Sequence, residues 1–309
     1  MSERYHPNAE QVAFAASVGK SLTSILPSAR LHQLKQESAP TWAALSELGV
    51  FEIAGSGLGA AEEALIVLEL GRRAVGASVL ASIGAAHLSA QAHRVAASYR
   101  RGNRVVVVDD PDAELMLVRS SNGAVLCGPT TSRMLDDTLW TSSLHETVAQ
   151  SRIIAEATSA QLVRLRLIDA AALAGIARAA LDMAVSYALM REQFGRPIGT
   201  FQAIKHHCAN MALAARTAAD QLSFAAVALD DERDDARLQV ESALYVAGTA
   251  ALENCAKNIQ IHGGMGFSDE AEPHLFLKRA HLYLEIAGGL ESALERIGEI
   301  PPRGQPGQQ

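Results

Sequence analysis

Hydrophobic positions change their spacing twice along this 309-residue chain. Up to about Arg101 they follow helical spacing, broken by glycines. Pro40-Thr41-Trp42 opens a helix that runs through Leu48, with Gly49 as its stop. From Glu62 to Val75, apolar side chains at Ala64, Val67, Leu68 and Leu70 predict a helix with one buried face. The middle region shortens its period. Val105–Val108, Leu115–Val118 and Ala124–Cys127 are short apolar runs separated by turn sequences, Asp109-Asp110-Pro111-Asp112 and Ser121-Asn122-Gly123. They predict a small β unit ending near His145, too short to be an independent barrel. From about Ala149 helical spacing returns. Ile204, Cys208, Met211, Ala215, Ala218, Leu222, Ala225 and Leu229 form one stripe; Val240, Leu244, Ala247, Ala251, Cys255 and Ile259 form the next. Asp230-Asp231-Glu232-Arg233-Asp234-Asp235 reads as a solvated connector between two long antiparallel helices. No internal repeat stands out.

The expected fold is therefore mainly α: an N-terminal helical domain over 1–101, a reduced β-domain over 102–148, and a C-terminal four-helix bundle over 149–300. The Pro-, Gly- and Gln-rich end, 301–309, predicts a disordered tail. A hydrophobic share of 49% supplies a full core, and only 5% aromatic residues favours packed helices over a sandwich. A net charge of −7 with no basic tract argues against a nucleic-acid partner. Cys127, Cys208 and Cys255 are widely spaced and fit a reducing cytoplasm, with neither a disulfide framework nor a CxxC site. The polar N-terminus does not read as a signal peptide, and no apolar stretch reaches membrane-spanning length. The histidines form no metal pattern; adjacent His206 and His207 point to different helix faces.

Two stretches carry chemistry: Arg191-Glu192-Gln193-Phe194-Gly195 with Phe201-Gln202, and Gln260-Ile261-His262-Gly263-Gly264-Met265-Gly266. In this order and separation they resemble the flavin-binding signatures of the acyl-CoA dehydrogenase family. Trp42 to Val50, Glu69 to Ala74 and Asp137-Thr138 resemble other parts of that fold. The resemblance implies FAD at a subunit interface, its ADP half held by these motifs. Arg191 would contact the pyrophosphate; Gln193, Phe194 and Gln202 would line the adenosine side; Gln260 and Gly264 would complete the cradle. A guanidinium suits phosphate oxygens, and glycines let backbone approach a cofactor closely.

The chain departs from that family on one side of the site. Aligned on Lys278-Arg279, the turn that usually carries the catalytic glutamate reads Ala287-Gly288-Gly289-Leu290, and the alternative base position reads Leu165 ahead of Arg166. Neither side chain takes a proton. Glu285 and Asp169 are nearby carboxylates in poor register for the role, since general-base action needs hydrogen-bond reach. The loop and strand that hold the flavin ring have no counterpart: Tyr99 to Asn103 runs almost directly into Val105.

The resemblance thus implies no catalytic residue and no metal ligand in this chain, and points to the non-catalytic subunit of an α2β2 acyl-CoA dehydrogenase. A second dehydrogenase subunit would supply the glutamate, the flavin pocket and the acyl-CoA contacts. The expected reaction is α,β-dehydrogenation of an acyl-CoA thioester, with a steroid side chain as the expected acyl group, and electrons passing from FAD to an electron-transfer flavoprotein. Two rivals stand beside it: a self-sufficient homo-oligomeric flavoenzyme using Glu285 or Asp169 as base, and a cofactor-free helical scaffold or regulatory protein.

Overall fold

The helical period of the N-terminal region resolves into α1 (Ala9–Ile25), α2 (Ala39–Glu47), α3 (Ala60–Gly71) and α4 (Ala77–Ala86) in a computed structural model that describes residues 5–32, 36–90, 94–110, 113–128, 132–136, 142–147 and 152–301. Ser38 caps α2, accepting the Thr41 N–H at 3.3 Å, with Pro40 in its first turn, where no amide donor is required. Asp137-Thr138, the Pro111-Asp112 part of the first turn and the tail beyond Pro301 lie outside the described residues.

The middle region forms β1 (Val95–Arg101), β2 (Arg104–Val108), β3 (Leu115–Arg119), β4 (Ala124–Cys127), β5 (Ser132–Asp136), β6 (Leu144–Thr147) and β7 (Ile153–Glu156). They make one mixed sheet in the order β5-β6-β2-β1-β3-β4-β7. Strands thus extend on both sides of the expected 102–148, because β1 begins at Val95 and β7 ends at Glu156. Tyr99 to Asn103 is the hairpin joining β1 to β2: Arg101 faces Arg104 across a two-residue turn whose Gly102 sits at φ +60. β1 also pairs in parallel with β3, Val95 opposite Leu115.

The C-terminal half is α5 (Ser159–Met190), α6 (Gln202–Asp230), α7 (Ala236–His262) and α8 (Pro273–Ala287), followed by α9 (Gly289–Gly298). α5 to α8 form the expected bundle, with α5 and α7 at its centre. The stripes on α6 and α7 face inward: Met211, Ala215, Ala218, Leu222 and Ala225 are buried, as are Val240, Leu244, Ala247, Ala251, Cys255 and Ile259. Small residues set the spacing between helices. A Cβ on Gly175 of α5 would lie 2.1 Å from the Leu68 carbonyl oxygen, and one on Gly71 of α3 would lie 2.2 Å from that of Ala172. α3 and α5 therefore cross almost backbone to backbone, and that contact joins the N-terminal helices to the bundle.

The acidic connector is less solvated than its composition implies. Asp230 accepts the Ala60 N–H at 2.6 Å and the Ala61 N–H at 3.0 Å, so a carboxylate from α6 caps α3. Asp235 is buried and pairs with Arg233 at 3.0 Å. No helix among the described residues is long and apolar enough to cross a membrane.

Candidate cofactor-binding site

α5 ends at Arg191, which turns to an extended conformation (φ −76, ψ 123) while its N–H still donates to the Tyr187 carbonyl at 2.8 Å. The chain then folds into a minimal hairpin, β8 (Glu192–Gln193) against β9 (Arg196–Pro197). Its two turn residues, Phe194 and Gly195, both have positive φ, +54 and +76. That geometry suits a two-residue hairpin, yet a bulky side chain there is strained. The Ile198 N–H to the Arg191 carbonyl, at 2.8 Å, closes the loop. Phe194 meets Phe201 edge to face (centroids 6.1 Å apart), and the Arg196 guanidinium lies 4.3 Å from the Phe201 ring centroid. Phe194 is nonetheless 91% exposed. A strained aromatic held out into solvent is the kind of feature that clusters at functional sites.

α7 ends at His262, and the chain passes through Gly263 (φ +61) into a short 3-10 turn, Gly263–Phe267. A Cβ on Gly266 would lie 2.6 Å from the Ile259 carbonyl oxygen, so that glycine seats the turn against its own helix. A Cβ on Gly264 would meet nothing within 4 Å. The backbone at Gly264 is open to whatever approaches it.

The structure brings the two sequence motifs together. The Tyr187 ring, one turn before Arg191, stacks on the His262 ring with centroids 4.0 Å apart and an interplanar angle of 23°. Tyr187 carries no motif signature of its own; its position one helical turn before Arg191 is the signal that could have found it. Arg191, Gln193, Phe194, Gln202, Gln260 and Gly264 are all exposed. Gln193 donates to the neighbouring Glu192 carbonyl at 2.7 Å, and Gln260 accepts from Lys257 at 2.9 Å. Both are local bonds that a ligand can replace. Around these residues Leu189, Met190, Met265 and Phe267 are exposed apolar side chains. A guanidinium, amides and an open glycine backbone are a donor set that fits the ADP half of FAD.

The positions expected of a catalytic base are built differently. Gly288 ends α8 in the left-handed region, φ +93, and a Cβ there would lie 3.1 Å from Ser121 Cα. The β3–β4 turn thus lies against this position. Its Ser121 carbonyl accepts from Arg166 at 3.2 Å and Arg296 at 2.9 Å, and both guanidiniums share the buried Glu241 carboxylate. Burial pushes Arg166 down to about 10, against the pull of Glu241. Leu165 is buried and lines a cavity of only about 20 Å³, with Asp169, Arg119, Tyr283 and Ile286. Such a space holds about one water. Asp169 is paired there with Arg119 at 2.7 Å; burial raises its carboxyl above the usual range and the guanidinium opposes that shift. Glu285 is exposed. Arg279, fully buried, reaches Asp109 at 3.4 Å.

A cavity of about 700 Å³ lies elsewhere, where α1, α3, α5 and α6 meet. Its wall arginines are paired: Arg72 with Glu69 and Asp182, Arg178 with Asp182, and Arg216 with Asp220. No group of three or more His, Cys, Asp or Glu among the described residues is placed to hold a metal ion.

Residues 155–300 match the model of the acyl-CoA dehydrogenase C-terminal domain. Over 137 residues, or 44% of this chain, the sequence is 42% identical to acyl-CoA dehydrogenase FadE34 of Mycobacterium tuberculosis (strain ATCC 25618 / H37Rv), and that match spans 19% of the relative. It is 30% identical to acyl-CoA dehydrogenase IpdE2 of the same strain over 80% of this chain and 79% of the relative. Among solved structures, a variant of the Tcur3481-Tcur3483 steroid ACAD superposes with a TM-score of 0.76 at 21% identity, covering 94% of this chain and 97% of that one.

Proposed function

The chain belongs to the acyl-CoA dehydrogenase family, a family of flavin-dependent oxidoreductases, and from that premise we propose that it is the non-catalytic subunit of a heteromeric acyl-CoA dehydrogenase. Its role is to hold the ADP half of an FAD whose ring lies in a sister subunit. One observation carries the reading: all six cofactor-motif residues lie exposed at the surface, among exposed apolar side chains. A nucleotide gripped there needs another chain to cover it, and a patch of this kind marks an interaction surface.

Each residue then has a task. Arg191 neutralises the pyrophosphate with charge-assisted hydrogen bonds. Phe194 offers an apolar face to the adenosine, with Gln193 and Gln202 as its polar partners. Gln260 and the bare backbone at Gly264 close the opposite side. FAD, when bound, accepts the substrate hydride; this chain orients the cofactor and shields it from water. The sister subunit provides the glutamate that takes the α-proton, along with the acyl-CoA pocket. The assembly is an α2β2 heterotetramer in the cytoplasm, passing electrons to an electron-transfer flavoprotein. The substrate is a CoA thioester of a steroid's side chain, a reading supported by the likeness to the Tcur3481-Tcur3483 steroid ACAD.

Co-expression with a neighbouring dehydrogenase gene product tests this. The expected result is a stable complex with one FAD for every two chains. Failure to form a complex, or one FAD on every chain, would overturn the reading.

A further inference from the structure

We propose that Tyr187 and His262 act as a ring clasp that fixes the distance between the two halves of the nucleotide clamp, making both of them positioning residues. The inference rests on the function proposed above. The hairpin carrying Arg191 and the turn carrying Gly264 come from different helices and share no backbone hydrogen bond. The stacked rings, 4.0 Å apart, meet where α5 and α7 both end. Each ring belongs to the turn that aims its own motif. The Tyr187 carbonyl accepts the Arg191 N–H at 2.8 Å, so Tyr187 anchors the last turn of α5. The His262 Nδ1 lies 2.8 Å from the Asn258 carbonyl, which can only accept, so Nδ1 carries the proton. That bond fixes the imidazole plane in the last turn of α7, two residues before Gly264. Burial also lowers the His262 pKa below its ordinary value, which favours the neutral ring.

The clasp is separable from the fold. α7 is keyed to the bundle two turns earlier, where the buried Asn254 amide donates to the Ala177 carbonyl at 2.9 Å and the Met211 carbonyl at 3.0 Å. Losing the rings frees the helix ends while the core beneath stays joined. The clamp then samples several spacings, and the nucleotide must select one of them.

The test uses the full chain in complex with its sister subunit, stripped of flavin and titrated with FAD by flavin fluorescence. Tyr187→Leu and His262→Leu approach the same contact from opposite sides. Each is expected to weaken FAD binding by about 3- to 10-fold, the range an aromatic pair supplies, with Tm and assembly unchanged. Tyr187→Phe keeps its ring and is expected to bind within about twofold of wild type. His262→Phe keeps a ring without the Nδ1–H bond to Asn258 and is expected to fall between wild type and the leucine variant. Leucine variants that bind FAD like wild type would overturn the proposal, as would phenylalanine variants as weak as the leucine ones. Loss of affinity matched by an equal loss of thermal stability would overturn it too, assigning the pair to helix packing alone. A wild-type complex that takes up no FAD sinks the underlying function as well, so the wild-type titration separates the two failures.

Discussion

At Asp169, burial and ion pairing pull in opposite directions, and geometry decides what the group can do. A carboxyl raised above its usual range is what a general base would need. Here, however, Arg119 holds it 2.7 Å away, beside a cavity of about 20 Å³. No thioester fits beside it. Asp169→Asn leaves Arg119 without its countercharge and should lower stability by about 3 kcal/mol, the low end for a broken buried pair because burial already penalises the carboxylate. Flavin content and turnover of the complex should stay within about twofold of wild type. Glu285→Gln, at an exposed site, should change stability by less than about 0.5 kcal/mol and leave turnover unaffected. Flavin counts, thermal melts and turnover of both variants check this. Abolished turnover with flavin retained in either variant would place the base in this chain. Gly288 supports the same conclusion, since its left-handed backbone abuts Ser121.

Among elements, the glycines of the described residues approach other backbone most closely where α3 crosses α5. Gly175→Ala should force a methyl group into the Leu68 carbonyl and lower the melting temperature by roughly 5–10 °C. A variant as stable as wild type would contradict so close a crossing. The bundle was legible because its signal is local: Val240, Leu244, Ala247 and Ala251 fall on one face whatever they meet. What escaped the sequence depends on partners far along the chain. Asp230 looked like one more acid in a charged connector, yet its carboxylate caps α3, some 170 residues earlier. β1 was hidden because Val95-Ala96-Ala97-Ser98 has no strand alternation; it is a strand through its pairing with β2 and β3. Motif order pointed to the six candidate cofactor residues, whereas the contact of the Tyr187 ring with His262 depends on how α5 and α7 meet.

At the scale of the whole molecule, the chain is unequal about its two ends of chemistry. Where a nucleotide would sit, side chains are exposed and their hydrogen bonds are local. Where an acyl chain and a base would sit, Arg166, Arg296 and Glu241 clasp the β3–β4 turn, and Leu165 helps close what space remains. On the proposed reading such a molecule completes a neighbour's site, since the space beside Leu165 and Asp169 is only about 20 Å³. The most direct test is to purify this chain alone, measure its flavin by absorbance, and assay it with an acyl-CoA and an electron acceptor. The expected result is a colourless protein without dehydrogenase activity. One equivalent of tightly held FAD per chain, with turnover of the thioester, would contradict it.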